Sequence, residues 1–210
     1  LVYVRESDGE RFFSNHPEFW QHALSPQRLN QAYITSADWL HIDGVHFAAA
    51  QQAAQWMQAA GKRVMFDGGR PHEKQLKEDQ RVLLPYVDVL ISGAGFLEMV
   101  TGESDLQAAG RKALEMGPSI VVQTHGLEGS CTFTQQESFH TPAMCVDAVD
   151  TTGAGDIFHG AYLYGLQQGW DLRSITRFAT AASALSCLQV GGRNSIPRLS
   201  AIKAFLSQQH

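Results

Sequence analysis

Residues 150–156 read Asp-Thr-Thr-Gly-Ala-Gly-Asp, and residues 157–161 continue as Ile-Phe-His-Gly-Ala. The glycines at 153 and 155 let the backbone come close to a ligand, because they carry no side chain. The spacing that follows predicts a helix over residues 154–168, and the start of a helix leaves unpaired N–H groups at the positive end of its dipole. The segment therefore predicts an anion hole with one carboxylate, that of Asp156, in the first helical turn.

This combination suits phosphoryl transfer. N–H groups at a helix start can hold the charge on the γ-phosphoryl oxygens, while a carboxylate accepts the proton of an incoming hydroxyl. Asp156 is placed for the second role. Alternatively, Asp156 is only a favourable first-turn acid and the glycines only shape a turn before the helix.

The whole stretch, flanked by Val149 and extending to Ala161, resembles the C-terminal signature of the PfkB/ribokinase family of carbohydrate kinases. The resemblance implies an α/β fold of ribokinase type, with a mostly parallel sheet covered by helices on both faces. It also implies ATP-dependent phosphorylation of a sugar hydroxyl, with Mg²⁺ bridging the phosphates. In that scheme Asp156 is the catalytic base, and the N–H groups around Gly153, Ala154 and Gly155 stabilise the transferred group.

A second match precedes this segment. A predicted strand at residues 119–123 runs into Thr-His-Gly-Leu-Glu-Gly at residues 124–129, which is similar to the family's nucleotide-binding turn. The resemblance assigns Thr124, Gly126 and Gly129 to the nucleotide, although a plain glycine-rich turn before a hairpin would look the same. Thr180 stands where many members have an asparagine on the adenine side, and it is the fourth nucleotide candidate.

Residues 190–197, Val-Gly-Gly-Arg-Asn-Ser-Ile-Pro, resemble the family's closing loop. In members that depend on a monovalent cation, this loop and the aspartate of the Asp-Thr-Thr string surround K⁺. Oxygen donors suit such a hard cation. Alternatively, the segment is a plain loop before the last helix. The positions carried over as metal candidates, several of them through backbone carbonyls, are Asp150, Thr152, Ser186, Gln189, Gly191 and Ser195.

The sequence also departs from the family pattern. Members usually carry Asn-x-x-Glu before Thr101-Gly102, where it helps to place water around magnesium and phosphate, but the aligned positions here are Gly93 and Phe96. Glu98 lies two residues further on. How Mg²⁺ is held and which nucleotide is preferred are therefore open at this point.

Four further polar residues have two interpretations each. Asp67 follows a predicted strand at the carboxyl edge of the sheet, where ligands of α/β proteins gather, and Arg70 and His72 come next. These residues either contact substrate or phosphate, or form a solvated loop. His159 either borders the sugar or packs within its helix.

The rest of the chain predicts alternating strands and helices, the pattern of βαβ units in a single domain over residues 1–210. Strands are predicted at 39–42, 63–66, 87–91, 119–123, 130–134 and near Phe139, and helices at 48–60, 73–84, 106–116, 154–168, 172–188 and 199–207. Residues 1–14 predict a hairpin with a turn at Asp8-Gly9 that resembles a remnant of the family's lid.

We expect the chain to represent only the later part of the family pattern, because the usual opening strands and the sugar-gripping Gly-Gly-x-x-x-Asn region are not found. A sheet without those strands would leave backbone groups of the 39–42 strand unpaired and would favour self-association, so we expect a homo-oligomer. The alternative to a kinase is a remnant that binds nucleotide without catalysis and has a structural or regulatory role.

Composition limits the classes of partner. The 210 residues are 44% hydrophobic and 18% charged, with a formal net charge of -5, which gives no broad attraction for nucleic acid or an anionic membrane. No apolar run approaches the ~20 residues of a membrane span. The three cysteines form no metal pattern and predict free, mostly buried thiols. We therefore expect a cytoplasmic protein with a small-molecule substrate.

Overall fold

The computed structural model describes residues 2–4, 11–13, 24–69 and 77–208. The chain divides into two compact units, one formed by Ala23–His140 and the other by Leu1–His22 together with Thr141–His210. The single domain expected over residues 1–210 stays a prediction.

Two short strands near the N-terminus, β1 (Val2–Val4) and β2 (Arg11–Phe13), pair antiparallel with Val2 opposite Phe13. The paired strands of the predicted hairpin are therefore confirmed. The turn predicted at Asp8-Gly9 lies outside the described residues.

The unit Ala23–His140 is built on a six-stranded sheet in sequential strand order. The first four strands run parallel, and the fifth pairs antiparallel with the fourth. The strands are β3 (Trp39–Ile42), β4 (Arg63–Asp67), β5 (Val89–Gly93), β6 (Ile120–Thr124), β7 (Ser130–Phe133) and β8 (Ser138–Thr141). Among the described strands β3 is an edge, as expected for residues 39–42, and oligomerisation stays a prediction.

The burial of β4 is typical of a parallel sheet that is covered on both faces. Val64, Met65 and Phe66 follow one another in β4 and are all 0% exposed. Because successive side chains of a strand point to opposite faces, both faces of β4 are shielded from solvent. The continuous apolar run of this strand is therefore typical of a covered parallel sheet.

The described residues of the same unit form five α-helices: α1 (Gln31–Thr35), α2 (Phe47–Ala59), α3 (Lys77–Leu83), α4 (Phe96–Thr101) and α5 (Leu106–Glu115). Their apolar faces join the sheet in one core, in which the Phe66 and Phe96 rings meet edge to face with centroids 6.2 Å apart. Asp105 begins α5 by accepting a hydrogen bond from the N–H of Ala108.

The described C-terminal part of the other unit is helical, with α6 (Ala154–Gln167), α7 (Leu172–Ser186) and α8 (Leu199–Ser207). Asp171 caps α7 by accepting from the N–H and the hydroxyl of Ser174. Aromatic rings pack where α6 meets α7, with the Trp170 and Phe178 centroids 5.1 Å apart and both contacting Tyr164.

The α/β class with a mostly parallel sheet is confirmed. The strand predicted at 87–91 begins two residues later, because Leu84–Tyr86 forms a 3-10 turn that ends at Val87. Helices α1 and α4 were not predicted, since five and six residues are too few to show a helical period. The first residues of the helix predicted at 73–84 lie outside the described part of the chain.

The three cysteines, all within the described residues, form no disulfide, and they are not uniformly buried. Cys187 is buried, Cys131 is half-buried and Cys145 is exposed. Burial raises the pKa of the Cys131 thiol. Within the described residues, none of the helices combines the length and the hydropathy that a membrane crossing requires.

Candidate functional site

Helix α6 begins at a tight glycine turn. Gly153 occupies the N-cap position with φ of 77°, a left-handed conformation that other residues adopt at a cost. The N–H of Ala154 donates to the carbonyl of Thr151 at 3.2 Å, and the N–H of Ile157 donates to the carbonyl of Gly153 at 2.9 Å. The N–H groups of Gly155 and Asp156 lie between these two bonds, in the turn that a helix leaves without acceptors of its own.

Asp156 therefore lies where the sequence predicts it. Its side chain is exposed in the first turn of α6, and one of its oxygens would be 3.7 Å from a Cβ built on Gly153. An exposed carboxylate beside a helix start can accept a proton from a ligand held by the neighbouring N–H groups.

Asp150 connects this turn to the loop that follows α7. Its Oδ1 accepts from the N–H of Thr152 at 2.8 Å, and its Oδ2 accepts from the N–H of Gly191 at 2.9 Å. The carbonyl of Cys187 accepts from the N–H groups of Val149 and Asp150. Asp150 thus holds two loops together.

The two loops touch through glycines. A Cβ on Gly153 would lie 3.1 Å from the Cα of Gly192, and a Cβ on Gly192 would lie 3.3 Å from the carbonyl oxygen of Thr152. Both positions leave little room for a side chain, so the close approach of the loops depends on glycine at each.

Four of the six residues predicted to bind a monovalent cation lie together in the structure. Asp150, Thr152, Gly191 and Ser195 form one hydrogen-bonded group, in which the N–H of Ser195 donates to the carbonyl of Gly191 at 3.2 Å. The Ser195 hydroxyl is buried and has no hydrogen-bond partner among the described residues. A carboxylate and an unpaired buried hydroxyl fit a hard cation.

The other two cation candidates are placed differently. The hydroxyl of Ser186 donates to the carbonyl of Ser183 at 2.7 Å, within its own helix. The side chain of Gln189 is exposed. Neither side chain is shown to join the group around Asp150.

A cavity of about 620 Å³ adjoins Asp156. Helices α6, α7 and α8 and the loop after α7 line it, mainly with apolar side chains such as Tyr164, Phe178 and Ile202, and Arg193 contributes a cationic group. The sequence did not single out Arg193 or these aromatic residues. The spacing of Asp156, Gly160 and Tyr164 along one face of α6 was the available signal.

The predicted nucleotide turn belongs to the unit Ala23–His140. Thr124 ends β6, and its hydroxyl donates to the carbonyl of Ser92 in β5 at 3.2 Å. The turn is closed by the N–H of His125, which donates to the carbonyl of Gly129 at 2.7 Å, and both Gly126 and Gly129 have positive φ. Gly126 at its tip is exposed, so its backbone groups can be reached by a ligand, whereas Gly129 is buried.

Thr180 is less accessible. It is buried in α7, and its hydroxyl donates to the carbonyl of Thr176 at 2.8 Å. A nucleotide contact through this hydroxyl would use its acceptor capacity only.

The residues at the missing Asn-x-x-Glu have different roles here. Gly93 ends β5, and Phe96 is fully buried in the core. Glu98 lies in the first turn of α4 and accepts hydrogen bonds from Gln123 of β6, which sequence reasoning did not identify.

The remaining polar candidates divide by location. Asp67 ends β4, and its Oδ1 accepts from the N–H of Gly69 at 2.7 Å, while Arg70 and His72 lie outside the described residues. His159 is buried, and its Nδ1 lies 2.6 Å from the carbonyl oxygen of Gly155. Because a carbonyl only accepts, Nδ1 carries the hydrogen, and His159 contacts the backbone of the anion-hole turn.

The profile of the pfkB family carbohydrate kinases matches residues 1–199. The chain belongs to this family. The 5-dehydro-2-deoxygluconokinase of Shouchella clausii is 30% identical over 202 residues, covering 89% of this chain and 62% of the relative. The ATP-dependent ribose-1-phosphate kinase of Halopiger xanaduensis is 30% identical over 187 residues, covering 89% and 60%.

Solved structures of pfkB-type kinases show the same fold. An E. coli protein assigned as ribokinase II, in complex with ATP and Mg²⁺, superposes with a TM-score of 0.85 at 25% identity and covers 100% of this chain and 70% of its own. The ribokinase of Thermotoga maritima superposes with a TM-score of 0.82 at 25% identity, covering 98% and 68%. The predicted ribokinase-like fold is confirmed. The chain spans about 60% of the length of these two curated relatives.

Proposed function

We propose that the protein transfers the γ-phosphoryl group of ATP to a hydroxyl of a sugar or sugar derivative, with Asp156 as the general base. The observation that carries this proposal is the exposed Asp156 carboxylate in the first turn of α6, directly after the glycine turn that Asp150 ties to the neighbouring loop. Membership of the pfkB family and relatives that are sugar kinases support the same reaction.

Asp156 and the N–H groups at the start of α6 have separate roles in the proposed step. The acceptor hydroxyl loses its proton to a carboxylate oxygen of Asp156 while its oxygen bonds to the γ-phosphorus, and the bond to the β-phosphate oxygen breaks to release ADP. The N–H groups of Gly155 and Asp156 and the positive end of α6 face the charge on the transferred group. Since the N–H of Ala154 already donates to Thr151, its share is smaller than that of its two neighbours.

The acceptor hydroxyl would lie within hydrogen-bond reach of the Asp156 carboxylate, because a base must reach the proton that it removes. Thr124, Gly126 and Gly129 are proposed to contact the nucleotide from the turn after β6, and Thr180 is proposed on the adenine side. Asp150, Thr152, Gly191 and Ser195 are proposed to hold K⁺, which would stabilise the two loops.

The carboxylates of this chain fit a Mg²⁺ ion that is bound together with the nucleotide. The described residues contain no cluster of three or more His, Cys, Asp or Glu side chains that could hold a metal ion. Mg²⁺ usually keeps several waters and is held by one or two carboxylates together with substrate phosphates, so single carboxylates suffice. When bound, it neutralises charge on the phosphates.

The test is the Asp156→Asn variant, which keeps the shape of the side chain and removes the base. We expect turnover to fall by ~10²–10⁴-fold with ATP binding retained. Asp147→Asn makes the same charge change at an exposed position and serves as the control. The acceptor panel includes ribose, ribose 1-phosphate, 5-dehydro-2-deoxygluconate and a nucleoside.

An Asp156→Asn variant with more than half of the wild-type turnover would contradict the assignment of the base. Nucleotide binding by the wild-type chain without phosphorylation of any acceptor in the panel would favour a nucleotide-binding protein that does not catalyse.

A further inference from the structure

The carboxylate of Glu98 has a fixed orientation. Nε2 of Gln123 lies 3.0 Å from Oε2 and 3.3 Å from Oε1 of Glu98. On the other side of the same amide, the N–H of Leu97 donates to Oε1 of Gln123 at 2.9 Å. Since an N–H needs an acceptor and a carboxylate needs a donor, the amide can satisfy both neighbours in this orientation only.

Gln123 occupies a position where an apolar side chain would be expected. It is 0% exposed and follows Val121 and Val122 in β6. Burying an amide costs about 1–3 kcal/mol unless its hydrogen bonds are made. Here both ends of the amide are paired, since its oxygen accepts from the N–H of Leu97 and its nitrogen donates to the carboxylate of Glu98, which is half-buried.

The surroundings of this pair are those of a ligand site. Glu98 follows the carboxyl end of β5, and ligands of open α/β sheets bind outside the carboxyl ends of the strands. Ser92 of β5 lies opposite Gln123 in the strand register and on the same face of the sheet. Its hydroxyl is buried and has no partner among the described residues. The next residue after Gln123 is Thr124, a proposed nucleotide contact.

We propose that the Glu98 carboxylate takes the divalent cation that accompanies the nucleotide, directly or through a bound water, and that Gln123 is the positioning residue. Each carboxylate oxygen keeps lone pairs beyond the hydrogen bond from Gln123. One oriented carboxylate is what Mg²⁺ requires from the protein when phosphates and waters supply its other ligands. This inference rests on the proposed function.

The decisive variant is Glu98→Gln, because its amide oxygen can still accept from Gln123 while the negative charge is removed. Glu103→Gln makes the same change at an exposed position five residues further along and is the matched control. The measurement is Mn²⁺ binding by electron paramagnetic resonance, with the full chain and a non-hydrolysable ATP analogue. We expect the dissociation constant for Mn²⁺ to rise by ~10-fold or more in Glu98→Gln and to stay unchanged in Glu103→Gln.

A second variant separates positioning from a purely structural link. Gln123→Met keeps the volume of the side chain at position 123 and leaves the charge of Glu98 in place, but it removes the amide that orients the carboxylate. We expect this variant to weaken Mn²⁺ binding by ~10-fold. If Gln123 only tied α4 to β6, the stability of this variant would fall while its Mn²⁺ affinity did not.

Unchanged Mn²⁺ affinity in Glu98→Gln would overturn the inference and leave the proposed kinase activity standing. A wild-type chain that binds the Mn²⁺–analogue complex through Glu98 but phosphorylates no acceptor would contradict the proposed function and leave the cation site standing. Failure of the wild-type chain to bind Mn²⁺ with the analogue would overturn both.

Discussion

Replacing Gly153 by alanine tests whether the contact between the two loops sets the geometry of the anion hole. Two separate costs are expected. Alanine adopts a φ near 77° only at about 1–2 kcal/mol, because its Cβ approaches the neighbouring carbonyl. The new methyl group would also lie 3.1 Å from the Cα of Gly192 and 3.4 Å from its carbonyl oxygen, which are backbone atoms that cannot rotate away.

Gly169→Ala separates the two costs. Gly169 follows α6 in the same unit and has φ of 69°, but a Cβ there meets nothing within 4 Å. In both variants the cost of the φ strain is offset by about 0.4–1 kcal/mol, because alanine stiffens the unfolded chain, so Gly169→Ala should cost about 1 kcal/mol. Overpacking adds about 1–3 kcal/mol at Gly153 alone.

The assay combines urea unfolding with turnover. We expect Gly153→Ala to lose at least about 1 kcal/mol more than Gly169→Ala, since only the former pushes the loops apart. Its turnover should fall by ~10-fold or more, because displacements well under 1 Å already misplace catalytic groups. Equal stability losses with undiminished turnover in Gly153→Ala would refute the reasoning that the contact with Gly192 shapes the site.

Three further predictions address other parts of the molecule. A K⁺ concentration of 100 times the dissociation constant for K⁺ should stabilise the wild-type chain by up to about 2.7 kcal/mol, whereas tetramethylammonium should not stabilise it. Ser195→Ala should abolish the resulting difference in melting temperature between the two salts, and equal melting temperatures of the wild type in both salts would contradict the cation site. Gly110→Ala should destabilise by about 1–3 kcal/mol, because its Cβ would lie 2.5 Å from the Phe133 ring, and a more stable variant in urea unfolding would contradict this packing. The hydroxyl and the N–H of Ser174 hold the pKa of Asp171 below its ordinary value, so the cap of α7 is complete above about pH 4 and is lost as the pH falls through the folded-state pKa. The difference in urea midpoint between the wild type and Asp171→Ala should therefore shrink on acidification. A difference that stayed constant with pH would contradict this role of the Asp171 carboxylate.

Features that depend on neighbouring residues were predictable from the sequence. The alternation of apolar runs predicted the sheet and the longer helices, because strand and helix periods depend on neighbouring residues only. The string from Asp150 to Asp156 placed a carboxylate in the first turn of a helix for the same reason. Elements too short to show a period, α1 and α4, were not predicted, and α4 is the element that carries Glu98.

Which side chains meet depends on the packing of segments that are distant in the sequence. The bond from Gly191 to Asp150 spans 41 positions, and the bonds from Gln123 to Glu98 span 25. In each pair, the sequence around one residue does not indicate the other residue. The contact depends on how helices and strands pack, and not on the spacing of apolar residues within one segment. Packing also decided that the Ser195 hydroxyl is buried without a partner and that Asp156 borders an apolar cavity. The sequence predicted the reactive groups, and the packing of distant segments determined their neighbours.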